Sequence, residues 1–252
     1  MEGRTPASRV VVVGSSFAGL TAAFELRQSL GERAEIVVVD RRDSFTFIPS
    51  LIWVPFGGRE STEITFPLAA TYEDRGIRFL NDVAESVDTD WRQVVLSHHG
   101  HLSYDRLLVA TGPHLDFERI PGLGPESGYT ESICTLDHAL RARSSWERLM
   151  ADPGPVVVGT AQGAAYFHPS YEYVLNGVQR MRAAGITTPV SFVTSEPFLG
   201  HFGLGRVGRA RHAIETTFAR LDIEALPDQA ITEVRRARWS SSPAGCCRSR
   251  TR

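Results

Sequence analysis

The 252-residue sequence contains no lysine: all 27 of its basic residues are arginine. That absence excludes Schiff-base chemistry on lysine and the phosphate-gripping lysine of a Walker-type loop. Cysteine is nearly as scarce, three in all. Three are too few for a disulfide framework, and a reducing compartment is the expectation. No apolar run approaches the ~20 residues of a membrane-spanning helix. The run at 10–13 is too short for a secretory h-region and stops at Gly14. A formal net charge of −2 gives nucleic acid no electrostatic hold. These absences predict a cytoplasmic protein with no nucleic-acid partner and no metal centre, leaving open peripheral contact at the inner face of a membrane.

What remains is an ordinary globular composition, 42% hydrophobic and 22% charged, in a chain long enough for one large or two small domains. Residues 10–13 read as a buried parallel strand, and Gly14-Ser15-Ser16-Phe17-Ala18-Gly19 turns it into a helix with Leu20, Ala23, Phe24 and Leu30 at helical spacing. A second strand, 35–39, ends at Asp40, which completes a βαβ opening of the dinucleotide-binding kind. The run 44–58 is aromatic and without clean period, as in a packed functional loop. Strands are expected at 76–82, 93–97 and 105–110, forming a small β-meander with His98-His99-Gly100 as the hairpin turn between the last two. Glycine and proline crowd 121–128 and 152–155, so a linker is placed at 113–154. Val156 to Gly159 then restarts the strand-to-glycine pattern, with a helix up to Gly185 and a strand at 190–194. The fold class is therefore α/β, with two tandem Rossmann-like βαβ domains, 1–112 and 155–234, and a small β-meander.

The stretch 235–252 differs in kind. It holds six arginines and no acidic residue, so the rest of the chain has 21 arginines against 29 acids, a net charge of −8. It reads as a frameshifted or disordered end, with a phosphate-binding basic arm as the alternative.

Chemistry concentrates at the first turn. A dinucleotide site needs a glycine for the tight turn, a small residue where the backbone nears the pyrophosphate, and a third small residue where helix meets strand. Gly14, Ser16 and Gly19 fill those places, Ser16 departing from strict glycine. Asp40, 21 residues past Gly19, can hold ribose hydroxyls. The alternative is a glycine turn with no ligand.

With these motifs the sequence resembles flavoprotein oxidoreductases with two dinucleotide-binding domains, in particular the sulfide:quinone oxidoreductase and flavocytochrome c sulfide dehydrogenase group. The carrying segments are VVVGSSFAGLTAAFELR, the VVD ending at Asp40, TFIPSLIWVPFG, YDRLLVATGPH, SICTLDHA, VVVGTAQGAAYF and TSEPFLGHFG. The resemblance implies FAD on the first domain, with Gly14, Ser16 and Gly19 at the pyrophosphate, Asp40 on the ribose and Arg41 near the adenine. It also implies Val83 meeting the adenine through its backbone, Thr111 and Gly112 closing the site, and Pro49 and Trp53 near the isoalloxazine. Plain core packing is the alternative for Trp53. Cys134, His138 and His201 match positions near the redox centre, and Cys134 and His138 would share a helix face if that stretch is helical. The implied reaction passes two electrons from a small reductant, sulfide or similar, through flavin to a quinone or another acceptor.

Three departures shape the expectations. The segment 161–172, AQGAAYFHPSYE, lacks the redox cysteine of sulfide-oxidising members, Tyr166 standing about where it belongs, so a two-cysteine relay is not assembled. The second turn has Ala161 and Ala164 at glycine positions, which disfavours an NAD(P)H-linked flavin reductase and leaves a turn kept for packing. The family's C-terminal third also has no counterpart, so the first domain is expected to be incomplete, and a catalytically silent flavin-binding or misfolding remnant made by truncation is the alternative function.

Overall fold

The computed structural model describes residues 8–205 and 208–236, in two compact units: of these residues, unit 1 takes those up to 115 with 133–146, and unit 2 takes 116–132 with those from 147 onward. The peculiar stretch at 235–252 lies outside the described residues from 237 onward.

Unit 1 opens with strand β1 (Ser8–Val13), helix α1 (Phe17–Leu30) and strand β2 (Ala34–Asp40). A short antiparallel pair comes next, β3 (Ser44–Thr46) and β4 (Thr65–Pro67), then helix α2 (Leu68–Glu73) and strand β5 (Arg78–Asn81). After these come β6 (Ala84–Asp88), β7 (Gln93–Leu96), β8 (Gly100–Ser103) and β9 (Arg106–Val109). The main sheet has the order β5-β2-β1-β9, all pairs parallel. Parallel strands buried on both faces need apolar residues at every position, and β1 and β2 supply them. Val11, Val13, Val37 and Val39 pack on one face with Val94, Leu96 and Leu102 of the meander. Val12, Ile36 and Val38 pack on the other with Ala23 of α1 and with Leu68 and Tyr72 of α2.

This arrangement corrects the expected meander. Strands β5 and β9, expected within it, belong to the parallel sheet, and the meander is the antiparallel set β6-β7-β8. His98 and His99 do lie in a hairpin turn, but it returns the chain into β8 rather than into the strand near 105. Alternating short strands of similar apolarity carry no sequence signal for which sheet they join, since that is decided by what lies opposite each face.

The segment 113–154, expected as a linker, contains helix α3 (Leu136–Ala151), capped at its start by the Thr135 hydroxyl accepting the His138 N–H at 3.2 Å. The α3 residues up to Trp146 belong to unit 1 and the remainder to unit 2. Within unit 1, Ala139 packs with Leu51, Val54 and Ile64, the Trp146 ring meets Phe56 edge-on at 4.9 Å, and Arg143 pairs with Glu60 at 2.9 Å.

Unit 2 contains β10 (Val156–Thr160), α4 (His168–Ala183), β11 (Val190–Thr194), α5 (Ala210–Arg220) and β12 (Ile223–Leu226). Its sheet is parallel in the order β10-β11-β12, with Tyr171, Phe192 and Phe218 in mutual ring contact as its core. Among the described residues no helix is long and apolar enough to cross a membrane.

Candidate functional site

The carboxyl ends of β1, β2, β5 and β9 form one edge of the unit 1 sheet, where open α/β sheets place their ligands. Gly14 has φ +99°, and a Cβ there would strike the Ala110 carbonyl. A Cβ on Gly19 would fall on the Gly14 carbonyl oxygen. Both glycines are therefore fixed by close backbone approach, and Gly14 is tied into the sheet by its N–H to the Val39 carbonyl at 2.8 Å. Ser16 is the N-cap of α1, makes no side-chain cap hydrogen bond, and no acidic residue lies in the helix's first turn. The uncapped amides at this helix start carry partial positive charge.

Asp40 is buried, its Oδ2 accepting the Ser15 N–H at 2.6 Å and its Oδ1 accepting the Arg42 N–H at 2.9 Å. A carboxylate keeps further acceptor capacity beyond these two bonds. The Ser15 hydroxyl lies 2.6 Å from the Tyr72 hydroxyl. Burial pushes Tyr72 up to about 12, the Ser15 bond opposing and the nearby Asp40 adding to that rise. Ser15, Arg42 and Tyr72 are site residues beyond those expected from the sequence. Ser15 lies between two motif positions, and nothing but the fold brings Tyr72 to it.

The adenine-side expectations meet a second buried acid. Val83 is 43% exposed beyond the end of β5, with its N–H donated to Asp82 Oδ1 at 2.7 Å and its carbonyl accepting the Ser97 N–H at 3.0 Å. Asp82 also receives His98 Nδ1 at 2.9 Å, His99 Nδ1 at 2.6 Å and the backbone N–H of both histidines. Burial alone would raise its pKa, but the bonds from His99, His98 and the Val83 and His99 amides outweigh burial and hold the carboxyl well below the usual carboxylate range. Asp82 thus fastens the β5–β6 corner to the β7–β8 turn. The acid-then-HH pattern, 16 residues apart, is visible in sequence only once the meander's register is known.

Thr111 and Gly112 come after β9 and are exposed, with the Thr111 backbone beside Gly14. Arg41 is exposed; it is Arg42 whose side chain reaches Asp40, at 3.5 Å. Pro49 is exposed and Trp53 half-buried within a 3₁₀ segment, Ile48–Trp53. The structure thus gathers Gly14, Ser16, Gly19, Asp40, Val83, Thr111 and Gly112 at one sheet edge.

Cys134 does not share a helix face with His138. It is exposed and lies two residues ahead of α3, whereas His138 is buried in its first turn. Thr135 is the reason: its capping hydroxyl starts the helix after the cysteine. His201 belongs to unit 2, in a turn beyond β11. Unit 2 also has an open cleft of about 290 Å³ lined by Phe198, Gly200, Arg209, Arg211 and His212. Among the described residues no group of three or more His, Cys, Asp or Glu side chains could hold a metal ion.

The second glycine turn has a different build. Helix α4 begins at His168, nine residues after Gly159, whereas α1 begins three residues after Gly14. Gln162 within this turn is bound to the Ile231 backbone by a pair of hydrogen bonds, 2.8 and 3.0 Å.

The model of a family described as pyridine nucleotide-disulphide oxidoreductase matches residues 8–164. A sulfide-quinone reductase of Aquifex aeolicus is 35% identical over 230 residues, 90% of this chain and 52% of that protein. The X-ray structure of the sulfide:quinone oxidoreductase from the same bacterium matches with a TM-score of 0.86 over 91% of this chain and 53% of that one, at 35% identity. The demethylphylloquinone reductase NdbB of Synechocystis is 28% identical over 148 residues, 56% of this chain and 36% of that protein. A Plasmodium falciparum NDH2 solved with NADH has a TM-score of 0.73 at 15% identity, covering 91% of this chain and 49% of that one, a likeness of fold alone. The chain spans about half the length of the curated relatives it matches.

Proposed function

From a chain that belongs to the pyridine nucleotide-disulphide oxidoreductase family, we propose an FAD-dependent oxidoreductase that takes two electrons from a small reductant of the sulfide kind and delivers them to a quinone. The observation that carries this reading is the first turn: two glycines whose Cβ positions are filled by backbone, opening directly into a helix start without a side-chain cap. That cradle suits a diphosphate, because the amides face it and nothing anionic competes in the helix's first turn. Asp40 is placed to accept ribose hydroxyls, while Ser15 and Arg42 hold its carboxylate in place.

Bound FAD supplies the two-electron acceptor and donor. The chain's own residues bind and orient it. Gly14, Ser16 and Gly19 hold the diphosphate, Val83 lies on the adenine side, and Thr111 and Gly112 flank the first turn. Cys134, exposed ahead of α3, is the thiol that a sulfur reductant reaches; among the described residues it is the single cysteine, and they assemble no two-thiol relay. Likeness to a sulfide-quinone reductase and a demethylphylloquinone reductase supports sulfide and quinone as substrates. On this reading the protein works in the cytoplasm, with peripheral contact at the inner face of the membrane as its route to quinone.

The test is anaerobic mixing of the FAD-loaded chain with sulfide or with NADH, and then with a soluble quinone. The flavin's visible band should bleach with sulfide and return with quinone. Fast bleaching by micromolar NADH with no response to sulfide would overturn the proposal.

A further inference from the structure

Unit 2 buries one glutamate almost completely. Glu196, 2% exposed, lies just past β11 and makes three hydrogen bonds through its carboxylate. Oε2 accepts the Tyr171 hydroxyl at 2.6 Å and the Thr194 hydroxyl at 2.9 Å, and Oε1 accepts the Phe202 N–H at 2.6 Å. The Tyr171 oxygen in turn accepts the Gly200 N–H at 3.0 Å. The amides on either side of His201 are therefore both fastened to one buried acid, directly at 202 and through Tyr171 at 200.

The segment so fastened is strained. Phe202 has φ +53°, a left-handed conformation unusual for an aromatic residue and kept only where surroundings over-determine it. Its ring meets Tyr171 edge-on at 5.2 Å, so Tyr171 fixes both the amide before His201 and the ring after it. Gly200, φ +77°, lies against the start of α5 at Ala210 and Arg211, where a Cβ would come within 3.2 Å of the backbone.

Within this turn His201 is oriented through its ring nitrogen. Nδ1 accepts the Gly203 N–H at 3.2 Å, which in a neutral imidazole leaves the proton on Nε2. The ring edge rests on Phe198 at 5.1 Å, and the His201 N–H reaches the Phe198 carbonyl at 3.3 Å.

We propose that Glu196, acting with Tyr171, is a positioning residue for His201, locking the turn so that the imidazole presents Nε2–H as a donor to an acceptor oxygen of the quinone class. This rests on the flavin oxidoreductase reading and on the family resemblance, which matches His201 to a position near the redox centre. A buried carboxylate is costly unless its bonds are complete, and two bonds of this network end on amides adjoining His201. Burial and the adjacent Glu196 push the Tyr171 hydroxyl well above its ordinary value, so it stays protonated as the donor to Glu196.

The test uses the full chain uniformly labelled with nitrogen-15, reading the His201 tautomer and the exchange of the Gly200 and Phe202 amides. Wild type should show a single Nε2–H tautomer and two protected amides. Glu196→Ala should populate the Nδ1–H form and speed both amides about tenfold or more. Glu196→Gln keeps an acceptor oxygen for the Phe202 amide and should restore the single tautomer, a rescue that general loss of packing would not give. Phe202→Gly keeps the N–H, relieves the left-handed strain and should leave the tautomer unchanged. If Glu196→Ala does not fold, Tyr171→Phe decides, and only the Gly200 amide should speed up, with Nδ1–H appearing. A single Nε2–H tautomer with unchanged amide exchange in the folded Glu196→Ala protein, or in Tyr171→Phe, would overturn the proposal. FAD binding measured on the same samples tests the parent reading separately, since that site belongs to unit 1.

Discussion

The two strand-glycine openings, VVVG at 11–14 and at 156–159, are identical over four residues yet build different objects. In unit 1 the strand is buried on both faces and hands over to α1 within one turn. In unit 2, β10 is an edge strand whose Val157 is 64% exposed, and a long turn separates it from α4. The residues after the shared glycine make the difference. GSSFAG lets the helix start where its amides can face a diphosphate, whereas GTAQGA leads into a turn pinned by Gln162 to the Ile231 backbone. On the proposed reading, the repeated motif is a binding cradle in unit 1 and architecture in unit 2.

Filling each turn with a side chain should separate the two. Gly19→Val should cost ~3 kcal/mol or more and abolish FAD binding, because its Cβ has only the Gly14 carbonyl to occupy. Gly163→Val, at φ +80° but in open space, should cost about 1 to 2 kcal/mol and leave FAD bound. Urea unfolding and flavin absorbance check both. Asp40→Ala should weaken FAD binding by about 1.5 to 3 kcal/mol, the worth of hydrogen bonds to a charged acceptor. Equal FAD affinity in titrations of both proteins would remove Asp40 from the site.

The sheets themselves supply a milder contrast. Val38→Ala, at a fully buried position, should destabilise by about 2 kcal/mol, and Val157→Ala by less than about 0.5 kcal/mol, read from urea midpoints. Equal effects would mean that β10 is covered as β2 is.

The smallest expected effect is on pH dependence. The folded state holds Asp82 below its ordinary 3.8, so its contribution is present above that value and is lost as pH falls through the folded one. Wild type should therefore lose stability on acidification below about pH 4 more steeply than Asp82→Asn. Parallel curves would show that the His98 and His99 bonds do not favour the ionised carboxylate.

Much of unit 1 was legible because its signals are local. A valine run, a glycine turn and an acid at the end of the next strand fix strand, turn and carboxylate from neighbours in sequence. The sheet membership of β5 and β9 was not legible, since a four-residue apolar strand fits either sheet until its opposite face is known. Thr135 moved the start of α3 past Cys134, and a single capping hydroxyl inside an otherwise helical pattern is easily read through. Glu196 has no local signal of burial, because what buries it and completes its bonds is Tyr171, 25 residues earlier.

On the proposed reading one turn, the first, carries the dinucleotide. Equilibrium dialysis of the purified chain against FAD and, separately, NADH tests it most directly. One FAD per chain, lost in Gly19→Val, with no NADH retained at micromolar concentration, is the predicted result. NADH retained in that range, or FAD still bound by a folded Gly19→Val protein, would contradict it.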